Sequence, residues 1–152
     1  MRAIRGNIIE AKSLGKLDIL PNGCIITNDD GTTVETLPAL PLGFAGEIDD
    51  YKDALVMQSF CDMHSHAPQY PNLGMGYDLQ LLDWLAAYTF PIELRFADTE
   101  YARKVYKRLA RELVDNGTTR VSMFSSLHVD STLILMEELE NAGITGFDGK
   151  VN

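Results

Sequence analysis

An α/β fold is predicted, in which parallel strands joined by helical crossovers follow a β-rich N-terminal segment. Three observations predict it. From residue 54 onward the apolar pattern runs strand, helices, strand, helix, strand, the alternation that parallel sheets with right-handed crossovers produce. Two of the helical stretches are bounded by capping residues at their starts and Asn/Gly stops at their ends. The residues before 54 show only short extended runs broken by Gly, Asp and Pro. The chain is therefore expected to divide into residues 1–53, β-rich, and residues 54–152, α/β.

In the first part, Ile4, Ile8 and Ile9 precede a polar break, and Cys24-Ile25-Ile26-Thr27 is a compact β-type run. It lies between Pro21-Asn22-Gly23 and Asn28-Asp29-Asp30-Gly31, residue types that tolerate turn conformations. Val34 resumes an extended pattern. The segment from Leu37 to Gly43 is a connector, because Pro38 and Pro41 forbid helix and disfavour a central strand.

Ala54-Leu55-Val56-Met57 and Phe60-Cys61-Asp62-Met63 then read as one buried strand, interrupted by Gln58-Ser59 and ending at His64-Ser65-His66. Asp78 is placed to cap a helix carrying Leu79, Leu81, Leu82, Trp84 and Leu85, with Trp84 read as helix core. Asp98 opens the clearest helix. Tyr101, Ala102, Val105, Tyr106, Leu109, Ala110, Leu113 and Val114 recur on one face, and Asn116-Gly117 forms a left-handed stop. Its opposite face carries Lys104, Lys107, Arg108 and Arg111 and reads as a solvated surface. Residues 118–124, rich in β-branched and apolar types, predict a strand. Asp130 then caps a helix with Leu133, Ile134, Met136 and Leu139, stopped at Asn141-Ala142-Gly143. Residues 144–151 are extended. Three such strands leave open sheet edges, and a closed eight-stranded barrel needs about 250 residues, so the chain is expected to be the opening part of something larger.

Composition narrows the function. The 152 residues are 45% hydrophobic, enough for a core, and carry a formal charge of −9 from 22 acids and 13 bases. That balance repels phosphate backbones and anionic membranes, so no nucleic-acid and no membrane partner is expected. No run of about 20 apolar residues is present, and the polar start Met1-Arg2-Ala3-Ile4-Arg5-Gly6-Asn7 lacks a signal-peptide core. A cytoplasmic address is the expectation. Cys24 and Cys61 are too far apart for a C-x-x-C site and are expected to be small buried residues.

The chemistry concentrates at His64 and His66, two of three histidines in the chain. Residues two apart on a strand share a face, about 6.6 Å from each other along the backbone, so two imidazoles there can converge on one metal ion. Polar loop histidines are the plainer alternative. Asp62 is expected on the same face, where it can orient a ligand. At the C-terminal end of a parallel barrel strand the pair would lie where such folds place active sites. His128 would lie at the same mouth and reads as a hydrogen-bonded, non-ligating histidine. Gln69, in a loop stiffened by Pro68 and Pro71, reads as a surface residue whose amide also suits the mixed donor–acceptor edge of a purine or amide. No glycine-rich phosphate loop, G-x-S-x-G elbow, H-E-x-x-H helix or H-x-E…P-C-x-x-C signature is present.

Residues 60–70, Phe-Cys-Asp-Met-His-Ser-His-Ala-Pro-Gln-Tyr, resemble the first barrel strand of the amidohydrolase superfamily. Within it they are similar to the guanine deaminase family, a likeness continued by Asp78 to Leu85, Tyr88-Thr89-Phe90-Pro91, Arg95 to Asp98, Asn116 to Thr119 and Gly149-Lys150-Val151. The resemblance covers residues 54–152, and residues 1–53 fit loosely as part of the family's small β-sandwich. It implies the first strands and helices of a (β/α)8 TIM barrel and a zinc hydrolase turning guanine and water into xanthine and ammonia. His64 and His66 match ligands of one zinc ion; His66, Ala67, Pro68 and Gln69 match the purine-binding segment. The family's other ligands and its acid/base groups would lie beyond Asn152, so no catalytic residue is assigned and the chain alone is expected to be inactive. A homodimeric parent enzyme is implied. A related hydrolase of another ring amide, amidine or haloaromatic, or a non-catalytic remnant, are the alternatives. Two departures stand out: Gln58-Ser59 where the family has Pro-Gly, and Asp148, a charge in an apolar strand that would destabilise if buried unpaired.

Overall fold

β1 (Arg2–Ser13) and β2 (Lys16–Thr27) form a long antiparallel hairpin, closed by Leu14 and Gly15, the glycine at φ 73°. The expected turn at Pro21-Asn22-Gly23 is instead a bulge inside β2. Gly6 pairs with Gly23 but Ile8 with Leu20, Asn22 takes φ 53°, and its N–H donates to Asn7 Oδ1 at 3.2 Å. The bulge absorbs a proline that a regular ladder would reject. β3 (Thr33–Leu37) pairs antiparallel with β2, and β4 (Glu47–Met57) runs parallel to β1, giving the order β3-β2-β1-β4. One face buries Ala3, Cys24 and Ile26 against Leu37, Leu40 and Phe44.

The computed structural model describes residues 1–151, and the chain divides between Gln58 and Ser59. This is later than the expected 53/54 boundary, because residues 54–57 complete β4 rather than joining the histidine-bearing strand. Nor are they buried: Leu55 and Met57 are exposed.

In the second unit β5 (Phe60–His66), β6 (Thr118–Phe124) and β7 (Thr145–Gly149) form a parallel sheet in that order. A 3-10 turn (Ala67–Asn72) follows β5. Then come α1 (Leu81–Trp84), a π-helical turn (Leu85–Thr89) and α2 (Phe90–Leu94). Asp78 caps nothing here; α1 begins after Gln80 without a side-chain cap. Its apolar residues are not core either. Leu79, Leu81 and Leu82 are exposed, and Trp84 is half-buried with Nε1 donating to Met75 O at 2.8 Å. Cys61 is likewise exposed, whereas Cys24 is buried as expected.

α3 (Thr99–Asp115) is capped as its sequence requires: the Asp98 carboxylate accepts from Glu100 N at 2.9 Å and Tyr101 N at 3.3 Å. Gly117 at φ 80° ends it. α4 (Val129–Asn141) starts after His128, with Asp130 in its first turn rather than at the cap. The two helices cover one face of the sheet. Phe96, Ala102, Tyr106, Leu109 and Ala110 pack with Val121 and Met123 of β6 and with Ile134, Leu135, Leu139 and Ile144. Arg103 of α3 ties the helices by donating to Glu137 and Glu138, each at 2.8 Å. Among the described residues no helix is long and apolar enough to cross a membrane.

Asp148 lies opposite Met123 on the helix-facing side of β7. Its Oδ1 is buried without a hydrogen-bond partner among the described residues, and burial pushes its carboxyl above the ordinary value. The fold thus favours the protonated form. Its contribution is whole below the unfolded-chain pKa and is lost as pH rises through the raised value. Asp148→Val is expected to raise stability at pH 7 by about 1 kcal/mol, the low end for an unpaired buried polar group because the site is partly solvated. Denaturant melts of both chains should show that gain shrinking toward pH 4.

Candidate metal centre

β5 carries its chemistry at its C-terminal end, and a bulge decides which side chains face which way. Asp62 pairs with Val121, yet Ser65 pairs with Met123. Three steps along β5 therefore match two along β6. Val121 and Met123 are buried under the helices, so Asp62 and Ser65 share the helix-facing side. The expectation that Asp62 shares a face with both histidines is met only in part: it lines a cavity with His66 but not the one that His64 lines. The Asp62 Oδ1 accepts from the backbone N–H of His64 at 3.1 Å and so holds the bulge.

His64 and His66 come together. Their ring centroids are 5.3 Å apart at an interplanar angle of 79°. Two imidazoles on one tetrahedral ion, each bound at about 2.0–2.1 Å, have ring centroids roughly 5 Å apart. The pair therefore suits a shared ion. His64 is exposed and His66 half-buried. Burial first, and the neighbouring His64 second, lower the His66 pKa, which keeps it in the neutral form that ligates metal. Neutral imidazole nitrogen suits zinc and other borderline divalent ions. Among the described residues, no group of three or more His, Cys, Asp or Glu side chains converges on one point.

The remaining residues divide between two cavities. One of about 430 Å³ lies at the ends of the three strands and is lined by His64, Ser122, Phe124, Phe147 and Asp148. The other, about 240 Å³, brings His66, Ala67 and Gln69 together with Asp62, Tyr70 and Leu109 of α3. Gln69 is thus half-buried beside His66 but does not share the cavity of His64. Ala67 and Pro68 are buried. His128 lines neither, and its Nε2 is buried without a hydrogen-bond partner among the described residues, so the expected hydrogen bonding is not seen at that nitrogen. Sequence reasoning missed Phe124, whose ring meets both imidazoles, 5.0 Å from His66 and 5.8 Å from His64. Period two was the available signal, since Phe124 alternates with the buried Val121 and Met123.

No protein-family profile matches the chain. Guanine deaminase of Dictyostelium discoideum is 32% identical over 168 residues, taking in 99% of this chain and 37% of that protein. Guanine deaminase of Escherichia coli K12 is 38% identical over 102 residues, 67% of this chain and 23% of that one. Among solved structures, guanine deaminase from C. acetobutylicum with bound guanine in the active site matches at TM-score 0.94 and 40% identity, covering 99% of this chain and 36% of that one. A mutant atrazine chlorohydrolase from Arthrobacter aurescens TC1 shares the fold at TM-score 0.79 and 15% identity, over 98% of this chain and 35% of that one. The chain spans well under half the length of these relatives. Along nearly its whole length the chain is thus similar to guanine deaminases.

Proposed function

We propose that this chain supplies the first metal-ligand strand of a zinc-dependent guanine deaminase, which converts guanine and water to xanthine and ammonia. One observation carries the reading. Two imidazoles stand at a chelating separation of 5.3 Å at the end of a parallel strand, in a chain 40% identical along 99% of its length to a guanine deaminase holding guanine. The parallel sheet is then part of a (β/α)8 barrel, and the β3-β2-β1-β4 sheet part of a small β-sandwich.

In this reading His64 and His66 hold one zinc ion. Zinc, when bound, supplies the Lewis acidity that makes water a nucleophile near neutral pH. The chain's own residues do the rest of what it contributes. The half-buried His66 stays neutral and ready to ligate. The Asp62 carboxylate fixes the backbone of His64. The 3-10 turn, with Pro68 and Pro71 inside it, limits the motion of Gln69. The Gln69 amide offers donor and acceptor together, the pairing that a purine edge requires. His66, Ala67 and Pro68 form the buried wall next to it. In the balanced reaction the water oxygen ends on the ring carbon and the exocyclic nitrogen leaves as ammonia.

Four outcomes are expected. Grafting this chain in place of the matching segment of the C. acetobutylicum enzyme should give a folded protein that releases ammonia from guanine. His64→Ala or His66→Ala in that graft should lower kcat at least a thousandfold and strip the zinc; a folded, zinc-loaded graft inert to guanine would sink the reading. Gln69→Ala in the same graft should raise KM for guanine about tenfold, with a smaller change in kcat, as loss of a ground-state hydrogen bond does. The 152-residue chain by itself should produce no ammonia above background and hold less than one zinc per chain by elemental analysis, because catalytic zinc takes about three protein ligands.

A further inference from the structure

Phe124 is an anomaly of placement. It ends β6, yet it remains 41% exposed while Val121 and Met123 beside it are 2% and 4% exposed. Alternation along the strand puts it on the sheet face away from α3 and α4, where it adds little to the core. What it does touch is the histidine pair. It stands opposite His66 in the β5–β6 register, tilted 31° to that ring at 5.0 Å. It also stands edge-on to His64, at 76° and 5.8 Å. One aromatic ring thus meets both imidazoles from the neighbouring strand, within the cavity that His64 lines.

Geometry gives that contact a purpose. Imidazoles at the end of a strand rotate about two side-chain torsions, and chelation needs both rings fixed at one separation. Asp62 reaches the backbone of His64, and among the described residues no side-chain hydrogen bond holds either ring, so ring packing is the restraint on their side chains. An aromatic face also favours imidazoles that gain positive character on ligating a cation. Opposite Phe124, Gly149 leaves the far side of the ring clear, since a methyl there would lie 3.5 Å from it.

We propose that Phe124 is a positioning residue for the His64–His66 pair, an aromatic shelf that sets both rings at the chelating separation. The inference rests on the metal-ligand reading of the two histidines. It is tested on the full chain by titrating Co²⁺ while following the imidazole protons by NMR, with thermal melts in parallel. Phe124→Ala should weaken Co²⁺ binding about 10–100-fold, as loss of a ligand-orienting partner does. It should also erase the ring-current shift of the His66 protons and leave the melting temperature nearly unchanged. Phe124→Tyr should restore both affinity and shift, and Phe124→Leu should restore neither. If Phe124→Ala or Phe124→Leu binds Co²⁺ as tightly as the parent chain while His64→Ala and His66→Ala lose it, the shelf is overturned and the metal pair stands. If the histidine variants bind as tightly as the parent chain, the metal-ligand reading fails and the shelf with it.

Discussion

His66 stands opposite Phe124 because Ser65 pairs with Met123, and that cross-strand match fixes the candidate centre. A backbone ladder holds it in place: Phe60 N donates to Gly117 O at 2.8 Å at the start of the strands, and the parallel bonds carry the register forward. Side chains cannot choose their neighbours here. The pairing chooses for them, sending Val121 and Met123 under the helices and leaving Ser122 and Phe124 on the histidine side.

The helices hold that register from behind. Tyr106 of α3 is fully buried, and its hydroxyl accepts from Ser131 Oγ at 3.2 Å and stands 3.4 Å from Ser125 Oγ. These contacts bind the segment after β6 to both helices. Apolar burial around Leu135, Leu139 and Phe96 supplies the larger share of stability, at about 25 cal/mol per Å². The Arg103 ion pairs, screened by solvent, add little beside it. The site therefore rests on a packed helical layer, which itself reaches His66 and Gln69 through Leu109 in the smaller cavity.

Much of this was legible in the sequence because the signals were local. Asp98, Asn116-Gly117 and the Ala102-Tyr106-Leu109-Ala110 stripe mark α3 without reference to anything distant. The β-branched run from Thr118 marks β6, and the His64/His66 spacing is enough to suspect a chelate. What was illegible depended on pairing. Pro21-Asn22-Gly23 has turn chemistry, and only the partner strand makes it a bulge. Leu79, Leu81 and Leu82 have the spacing of a buried face, yet they stand exposed. Asp62 obeys period two with His64 until β6 shows that the period is broken between them. Phe124 was legible only as the end of an apolar strand, because its neighbours on β5 are set by the pairing.

The extra residue between Asp62 and Ser65 has a consequence for how this segment tolerates change. In a strand, sidedness counts residues and not their identity. Substituting Met63 would keep the count and leave both imidazoles where they are. Deleting it would keep the strand almost as long but return it to a regular ladder, moving the imidazoles relative to the residues that precede them. Variation by point replacement is thus mild here and variation by length is severe, the reverse of what an exposed position ordinarily permits.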